Sequence, residues 1–272
     1  MKTGRFGNLI LAFALVVVTI YGLRVVLLPV GGEGTAEVDM LVVNPLPEDT
    51  AQLPDFSAIA DVREKKQAFF DFLRPKIREQ NALIAKERAF VKTVYGQLKQ
   101  GHKLTDAESY QIGELAEKYQ LTIRVIDTDT LERLLRRVDV VPENMVLIQA
   151  ANETGWGSSR FAKEGLNFFG QWCFKKGCGL VPLSRNDGMS HEVARFDSVD
   201  ASVRSYLNNL NTNGAYQLFR AIRADIRSEG GRPKAKDLVY GLVNYSERQE
   251  EYIEELLQML QHNSELLTTK NS

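Results

Sequence analysis

The chain has 272 residues, of which 44% are apolar and 25% charged, a composition typical of a globular protein that buries a full hydrophobic core. Its formal net charge of -1 lacks the basic excess that phosphate binding usually requires, so we expect no nucleic acid partner. No metal, nucleotide or flavin motif is present, and we expect no cofactor and no metal site.

Residues 1–30 have the pattern of an export signal. Lys2 and Arg5 precede a long uncharged apolar run. Basic residues followed by an apolar run fit a cleaved signal peptide. The run also fits an uncleaved anchor over residues 8–28, because it has the length of about 20 apolar residues that a spanning helix needs and no clear small-residue cleavage site follows. In both cases we expect the body of the protein in the periplasm or cell envelope, and an uncleaved segment would attach it to the inner membrane.

The next part of the chain is predicted to be a linker followed by helices. Residues 31–60 contain glycines and three prolines and have no sustained hydrophobic period, which predicts a linker. Apolar spacings of three and four then predict a helical N-terminal extension over residues 61–140. Pro75 lacks the N–H that a helix interior needs, so we expect it to break or kink the first helix. Capping patterns at Thr105 and Asp127 begin two shorter helices.

The helix after Pro142 is apolar on nearly all sides, which predicts that it is buried at the centre of a domain. Its last turn carries Glu153, and Gly155 supplies the stop. The apolar surroundings and the negative end of the helix dipole both disfavour a charged carboxylate, so we expect a raised pKa for Glu153. A general acid needs a raised pKa near neutral pH, and Trp156 beside it suits the apolar face of a sugar ring.

The only cysteines of the chain, Cys173 and Cys178, lie five positions apart. In an oxidising compartment the default expectation is a disulfide that closes a small loop. Zinc binding is the rival interpretation, but no second Cys or His pair with ligand spacing completes four ligands. A free, buried pair is the third interpretation and applies if the chain is cytosolic.

A change of pattern after Cys178 predicts a β-hairpin. Residues 179–183 and 191–196 have the composition of two short strands around a turn. Glu192 lies on the second strand, where it is either a functional carboxylate or an ordinary residue facing water. Helical periodicity resumes after Ser198 and leaves residues 265–272 as a tail.

Several blocks of residues carry a resemblance to a known family. The most specific block runs from Ala150 to Ala162 and contains Glu, Gly, Trp, Gly and Ser in the family's order and spacing. Weaker blocks are Asn167 to Trp172, Phe196 to Val199, and Asn244 to Ser246. With these blocks, residues 141–264 resemble the glucosaminidase domain of family 73 glycoside hydrolases, most closely in the Bax group of bacterial glucosaminidase-like proteins.

The resemblance implies a mainly α (α+β) fold like that of lysozyme, with a small β-hairpin lobe and a cleft between helices and hairpin. It implies that Glu153 is the catalytic acid and that Glu192 on the hairpin is the second carboxylate. A tyrosine from the C-terminal helices also reaches the family's cleft, and Tyr252 matches its context better than Tyr245.

The matched blocks also supply candidate substrate-binding residues. They are Trp156, Phe169, Gln171, Trp172 and Tyr245. Domain packing is an equal expectation for both tryptophans, and Phe169 is more typical of a close-packed turn beneath the site.

The resemblance also implies a substrate and a reaction. The family cuts the glycan strands of peptidoglycan at the β-1,4 bond after N-acetylglucosamine. The alternatives are a muramidase or lytic transglycosylase on the same polymer, and a non-catalytic scaffold that binds peptidoglycan.

Overall fold

The computed structural model describes residues 53–182 and 191–268 of the chain. The predicted export segment and most of the predicted linker lie outside these ranges. The helices of the described part are α1 (Val62–Lys99), α2 (Asp106–Lys118), α3 (Thr128–Arg137), α4 (Glu143–Thr154), α5 (Arg160–Gly165), α6 (Val199–Thr212), α7 (Gln217–Ser228), α8 (Ala235–Leu238), α9 (Glu250–His262) and α10 (Ser264–Leu267). Short 3-10 helices span Phe56–Ala58, Gly214–Tyr216 and Val239–Leu242.

Three short strands form the only sheet within the described ranges. They are β1 (Trp172–Cys173), β2 (Gly179–Leu180) and β3 (Glu192–Ala194), arranged antiparallel in the order β1-β3-β2. Val193 of β3 pairs with Trp172 on one side and with Leu180 on the other. The predicted mainly α fold with a small β lobe is therefore confirmed. The predicted hairpin appears as β2 and β3, in shorter strands than the predicted 179–183 and 191–196, and β1 was not predicted.

Helix α1 runs through Pro75 as one helix, so the predicted break at this proline is wrong. The side of α1 that faces the core carries Phe69, Phe70 and Leu73, all fully buried. An interior proline costs a helix about 3 kcal/mol, whereas burying one large apolar side chain contributes about 1.5–3 kcal/mol. Packing of α1 against α4 and α6 therefore outweighs the local cost.

Ordered structure continues beyond both predicted ends of the folded part. Residues 53–60, the end of the predicted linker, hold Phe56, which is fully buried with its ring 5.3 Å from that of Phe69, edge to face. Residues 265–268 of the predicted tail hold Leu267, which is 4% exposed. One large apolar side chain anchors each segment to the core.

Helix α4 lies in the core, as its apolar pattern predicted. Seven consecutive residues from Met145 to Ala151 are buried, and α4 packs against α1, α8 and α9. The helix ends at Gly155, whose φ of 54° is left-handed and therefore favours glycine. This stop leaves Glu153 in the last helical turn, at the edge of the core.

A buried ionic cluster joins α1, α7 and the segment between α3 and α4. Asp139, between α3 and α4, is 2% exposed. Its carboxylate accepts two hydrogen bonds from Arg227 of α7, at 3.1 and 3.0 Å, and lies 3.5 Å from Arg88 of α1. The fully buried Arg223 donates to the backbone carbonyl of Asp139 at 3.1 Å.

Within residues 53–182 and 191–268, no helix has the length and apolar character needed to cross a membrane.

Candidate active site

Glu153 is a half-buried carboxylic acid at the C-terminal end of α4. The hydroxyl of Tyr252, on α9, donates to Glu153 Oε1 at 2.8 Å. Burial raises the pKa of Glu153, opposed by the Tyr252 hydrogen bond and the positive charge of Arg248. The carboxyl therefore keeps its proton to a higher pH than an exposed glutamate, which is the property a general acid needs.

Tyr252 is connected to a second buried tyrosine through Gln149. Gln149 is fully buried and lies one helical turn before Glu153, on the same face of α4. Its Nε2 donates to the Tyr252 hydroxyl at 3.0 Å, and its Oε1 accepts from the hydroxyl of Tyr206 on α6. A continuous row of hydrogen bonds therefore runs from α6 through α4 to α9 and ends on the carboxyl of Glu153.

Aromatic rings enclose this row. Tyr245 stacks on Tyr252 with centroids 5.5 Å apart, and Phe169 stacks on Tyr206 at 4.0 Å. The Tyr245 hydroxyl donates to the carbonyl of Phe169 at 2.6 Å, which attaches the segment before α9 to the turn after α5. Phe169 is 1% exposed, so it is a packing residue, which is the role that the sequence favoured over substrate binding.

The turn after Phe169 lies directly against the second oxygen of Glu153. Gly170 has a φ of 60°, and a Cβ on it would lie 3.1 Å from Glu153 Oε2. The buried Asn167 side chain holds this turn, since its Oδ1 accepts from the backbone N–H of Gln171 at 3.1 Å and its Nδ2 donates to the carbonyl of Ala194 at 2.8 Å. Both the backbone conformation and the neighbouring carboxyl therefore favour glycine at position 170.

Glu192 is a buried carboxylate with backbone partners in the β lobe. It is 5% exposed, and its two oxygens accept from the N–H groups of Gly177 at 3.0 Å and Gly179 at 2.9 Å. These contacts attach β3 to the loop that the Cys173–Cys178 disulfide closes. They give Glu192 a structural task, and its role as the second catalytic carboxylate stays a prediction.

The disulfide bears on the zinc interpretation of the cysteines. The two sulfurs and a Glu192 oxygen lie within 4.8 Å of one another, close enough for metal ligands. Zinc binds thiolate sulfur, however, and sulfurs joined to each other in a disulfide offer no thiolate. The donor set as it stands does not fit a zinc ion.

The two tryptophans have different surroundings. Trp156 packs against Phe69 and Phe70, with ring centroids 5.8 and 5.2 Å away, and the Lys66 ammonium lies 4.8 Å from its ring. Trp172, on β1, is 53% exposed and stacks on His191 at 4.2 Å. The contacts of Trp156 are those of a packing residue, whereas Trp172 has an accessible surface that a sugar ring can meet.

Gln171, the remaining candidate for substrate binding, faces α6. Its Nε2 donates to Ser205 Oγ at 3.1 Å. Its Oε1 is buried and accepts no hydrogen bond from the described residues. The side chain therefore retains an acceptor next to the turn that contacts Glu153.

Among the predicted residues, the structure brings Glu153, Tyr252, Tyr245 and Phe169 into one cluster. Sequence reasoning missed Gln149 and Tyr206 as members of the site. A signal for Gln149 was present, because a polar side chain inside an otherwise apolar helix requires buried hydrogen-bond partners.

Comparisons with known proteins show the family of this chain. A family model described as mannosyl-glycoprotein endo-beta-N-acetylglucosaminidase matches residues 128–265, beginning at the first residue of α3. Protein bax of Escherichia coli (strain K12) is 34% identical over 224 residues, which cover 80% of this chain and 77% of that protein. No solved structure matches the chain significantly. The chain therefore belongs to the glucosaminidase family of glycoside hydrolases.

Proposed function

We propose that this protein is a peptidoglycan hydrolase, an endo-β-N-acetylglucosaminidase that cuts the β-1,4 bond after N-acetylglucosamine. The observation that carries the proposal is the half-buried carboxyl of Glu153, with its raised pKa and its hydrogen bond from Tyr252, in a glucosaminidase-family domain. The similarity to the Escherichia coli protein bax extends over 80% of this chain, at 34% identity.

In the proposed reaction, Glu153 acts as general acid. Its proton passes to the glycosidic oxygen as the bond between that oxygen and the sugar C1 breaks, and positive charge develops on the sugar ring. Water then adds to C1 and loses one proton, which returns to the Glu153 carboxylate directly or through solvent, so that the acid is restored. The second carboxylate, for which Glu192 is our candidate, assists this water or stabilises the developing charge.

The proposed substrate is the glycan strand, and the β lobe offers it a surface. Trp172, Phe174 and Val181 on this lobe are 53%, 76% and 46% exposed, an unusual amount of large apolar surface for so short a segment. Sugar rings stack on such side chains. Because peptidoglycan lies outside the cytoplasm, we also propose that residues 1–30 direct export and that residues 8–28 anchor the protein if they are retained.

Digestion of purified peptidoglycan tests the function. The products are reduced with borohydride and their reducing ends identified by mass spectrometry. Reduced N-acetylglucosamine is the expected end. Reduced N-acetylmuramic acid would assign the chain as a muramidase, and an anhydro-muramic end as a lytic transglycosylase. If wild type and Glu153→Gln both bind peptidoglycan and neither releases fragments, the protein is a binding scaffold.

A further inference from the structure

The row from Tyr206 to Glu153 has a direction that follows from its chemistry. A tyrosine hydroxyl has a single hydrogen to donate, whereas a glutamine amide has one donating and one accepting end. Tyr206 is fully buried and its hydroxyl donates to Gln149 Oε1. Gln149 must then turn Nε2 towards Tyr252, where it donates to the hydroxyl oxygen at 3.0 Å.

This direction fixes the hydrogen of Tyr252. Because the Tyr252 oxygen accepts from Gln149, its own hydrogen is free to point at Glu153 Oε1, 2.8 Å away. A reversed Gln149 amide would instead accept that hydrogen, and Glu153 would lose its donor. The hydroxyl of Tyr206, which does not touch Glu153, therefore decides whether Glu153 receives a hydrogen bond.

We infer that this row places the acidic proton of Glu153 on Oε2, and that Gln149 and Tyr206 are positioning residues for proton donation. The inference rests on the proposed role of Glu153 as general acid. In the neutral acid the carbonyl oxygen is the better acceptor and the hydroxyl oxygen the weaker one, so the Tyr252 hydrogen bond favours Oε1 as the carbonyl and Oε2 as the protonated oxygen. Oε2 is the oxygen beside Gly170, where the absence of a side chain leaves room for a substrate oxygen.

Other charged and titratable groups also act on Glu153 or respond to its charge. Arg248 and Glu255 act on it from the segment around the start of α9, and they pair with each other at 2.7 Å. The buried hydroxyls that respond to its charge belong to Tyr206, Tyr216, Tyr245 and Tyr252. Tyr206→Phe leaves all of these in place except one hydroxyl, so its effect on Glu153 reports the direction of the row.

A titration of Glu153 tests the inference without turnover. The carboxyl carbon of Glu153 in the full chain is followed by NMR as a function of pH, with its signal assigned by its absence in Glu153→Gln. Tyr206→Phe should raise the pKa of Glu153, in the same direction as Tyr252→Phe, because both weaken a hydrogen bond to the charged form. In the Tyr252→Phe background, Tyr206→Phe should produce no further shift, since it acts through Tyr252.

A matched control separates positioning from stability. Tyr119 is another buried tyrosine, donating to Glu87 at 2.6 Å at the contact of α1 with the C-terminal end of α2. Tyr119→Phe should lower Tm and leave the Glu153 titration unchanged. Gln149→Leu, if it folds, should raise the pKa of Glu153 as Tyr252→Phe does. If it does not fold, Tyr206→Phe alone tests whether the row acts on Glu153.

Kinetics supply a second readout. Tyr206→Phe should lower kcat about tenfold, the factor for weakening the Tyr252 hydrogen bond to the Glu153 carboxylate by about 1.4 kcal/mol, with KM nearly unchanged. The inference is overturned if Tyr206→Phe titrates like wild type, or if the shifts of Tyr206→Phe and Tyr252→Phe add in the double variant. If wild type cuts no peptidoglycan, the proposed function fails, and the titration still decides the direction of the row.

Discussion

Replacing Gly170 by alanine tests the contact between the turn after Phe169 and the carboxyl of Glu153. Gly170 has a φ of 60°, and the added Cβ would lie 3.1 Å from Glu153 Oε2. That distance is shorter than an ordinary contact, so the carboxyl must move by a few tenths of an ångström. The Tyr252 hydrogen bond on Oε1 resists this movement.

Two effects of different size follow from this geometry. A non-glycine residue in the left-handed region costs about 1–2 kcal/mol, which corresponds to a fall in Tm of roughly 2–8 °C for a domain of this size. Misplacing a catalytic group by about 1 Å costs about 100-fold in rate, so a shift of a few tenths of an ångström should lower kcat roughly tenfold.

Gly101→Ala is the matched control for this variant. Gly101 has a φ of 79° and nothing within 4 Å of the position of an added Cβ. The control therefore carries the backbone strain without the contact to the carboxyl. Thermal unfolding and the initial rate of glycan cleavage are measured for both variants. If Gly170→Ala and Gly101→Ala lose the same Tm and cleave glycan at the same rate, the close approach of Gly170 to Glu153 is refuted.

Three further variants test the burial and pairing of carboxylates. Burial raises the pKa of Glu153 in the folded state above its ordinary value of 4.5. Wild type should therefore lose stability relative to Glu153→Gln as the pH rises from the unfolded-state pKa through the folded-state pKa, as measured by urea unfolding at about pH 4 and about pH 8. A difference independent of pH would contradict this. Glu192→Gln should lower stability by about 1–2 kcal/mol, because it replaces one of the two accepting oxygens by an NH2 donor that faces a loop N–H, and should lower kcat about 100-fold. A loss of stability alone would limit Glu192 to its structural task. Asp139→Asn should cost about 3–5 kcal/mol in urea unfolding, because it leaves the charges of the buried Arg223 and of the partly buried Arg88 and Arg227 uncompensated, with unchanged activity per folded molecule. A cost below about 1 kcal/mol would refute the importance of this cluster.

Local patterns were sufficient to predict the centre of the fold and the main candidate acid. The apolar pattern of α4 and the stop at Gly155 are both written within a dozen residues, and together they place Glu153 in a last helical turn. The hairpin was also predictable, because its two strands are close in sequence. In each case the determining interactions are made by near neighbours along the chain.

Features that depend on distant partners could not be predicted. Gln149 lies 103 positions from Tyr252 and 57 from Tyr206, so its apolar helix indicates that it needs buried partners but no local pattern identifies them. The continuity of α1 through Pro75 likewise depends on packing against α4 and α6. For Glu192 the sequence identified the strand, whereas the side-chain contacts follow from the backbone of the disulfide loop.

The rate of peptidoglycan hydrolysis by Glu153→Gln, relative to wild type, tests the central claim most directly. Glutamine has the size of glutamate and keeps an oxygen that can accept from Tyr252, but it has no acidic proton to transfer. We predict a fall in rate of about 1000-fold or more, with unchanged binding of peptidoglycan. A Glu153→Gln protein that hydrolyses peptidoglycan at nearly the wild-type rate would contradict the assignment of Glu153 as the general acid.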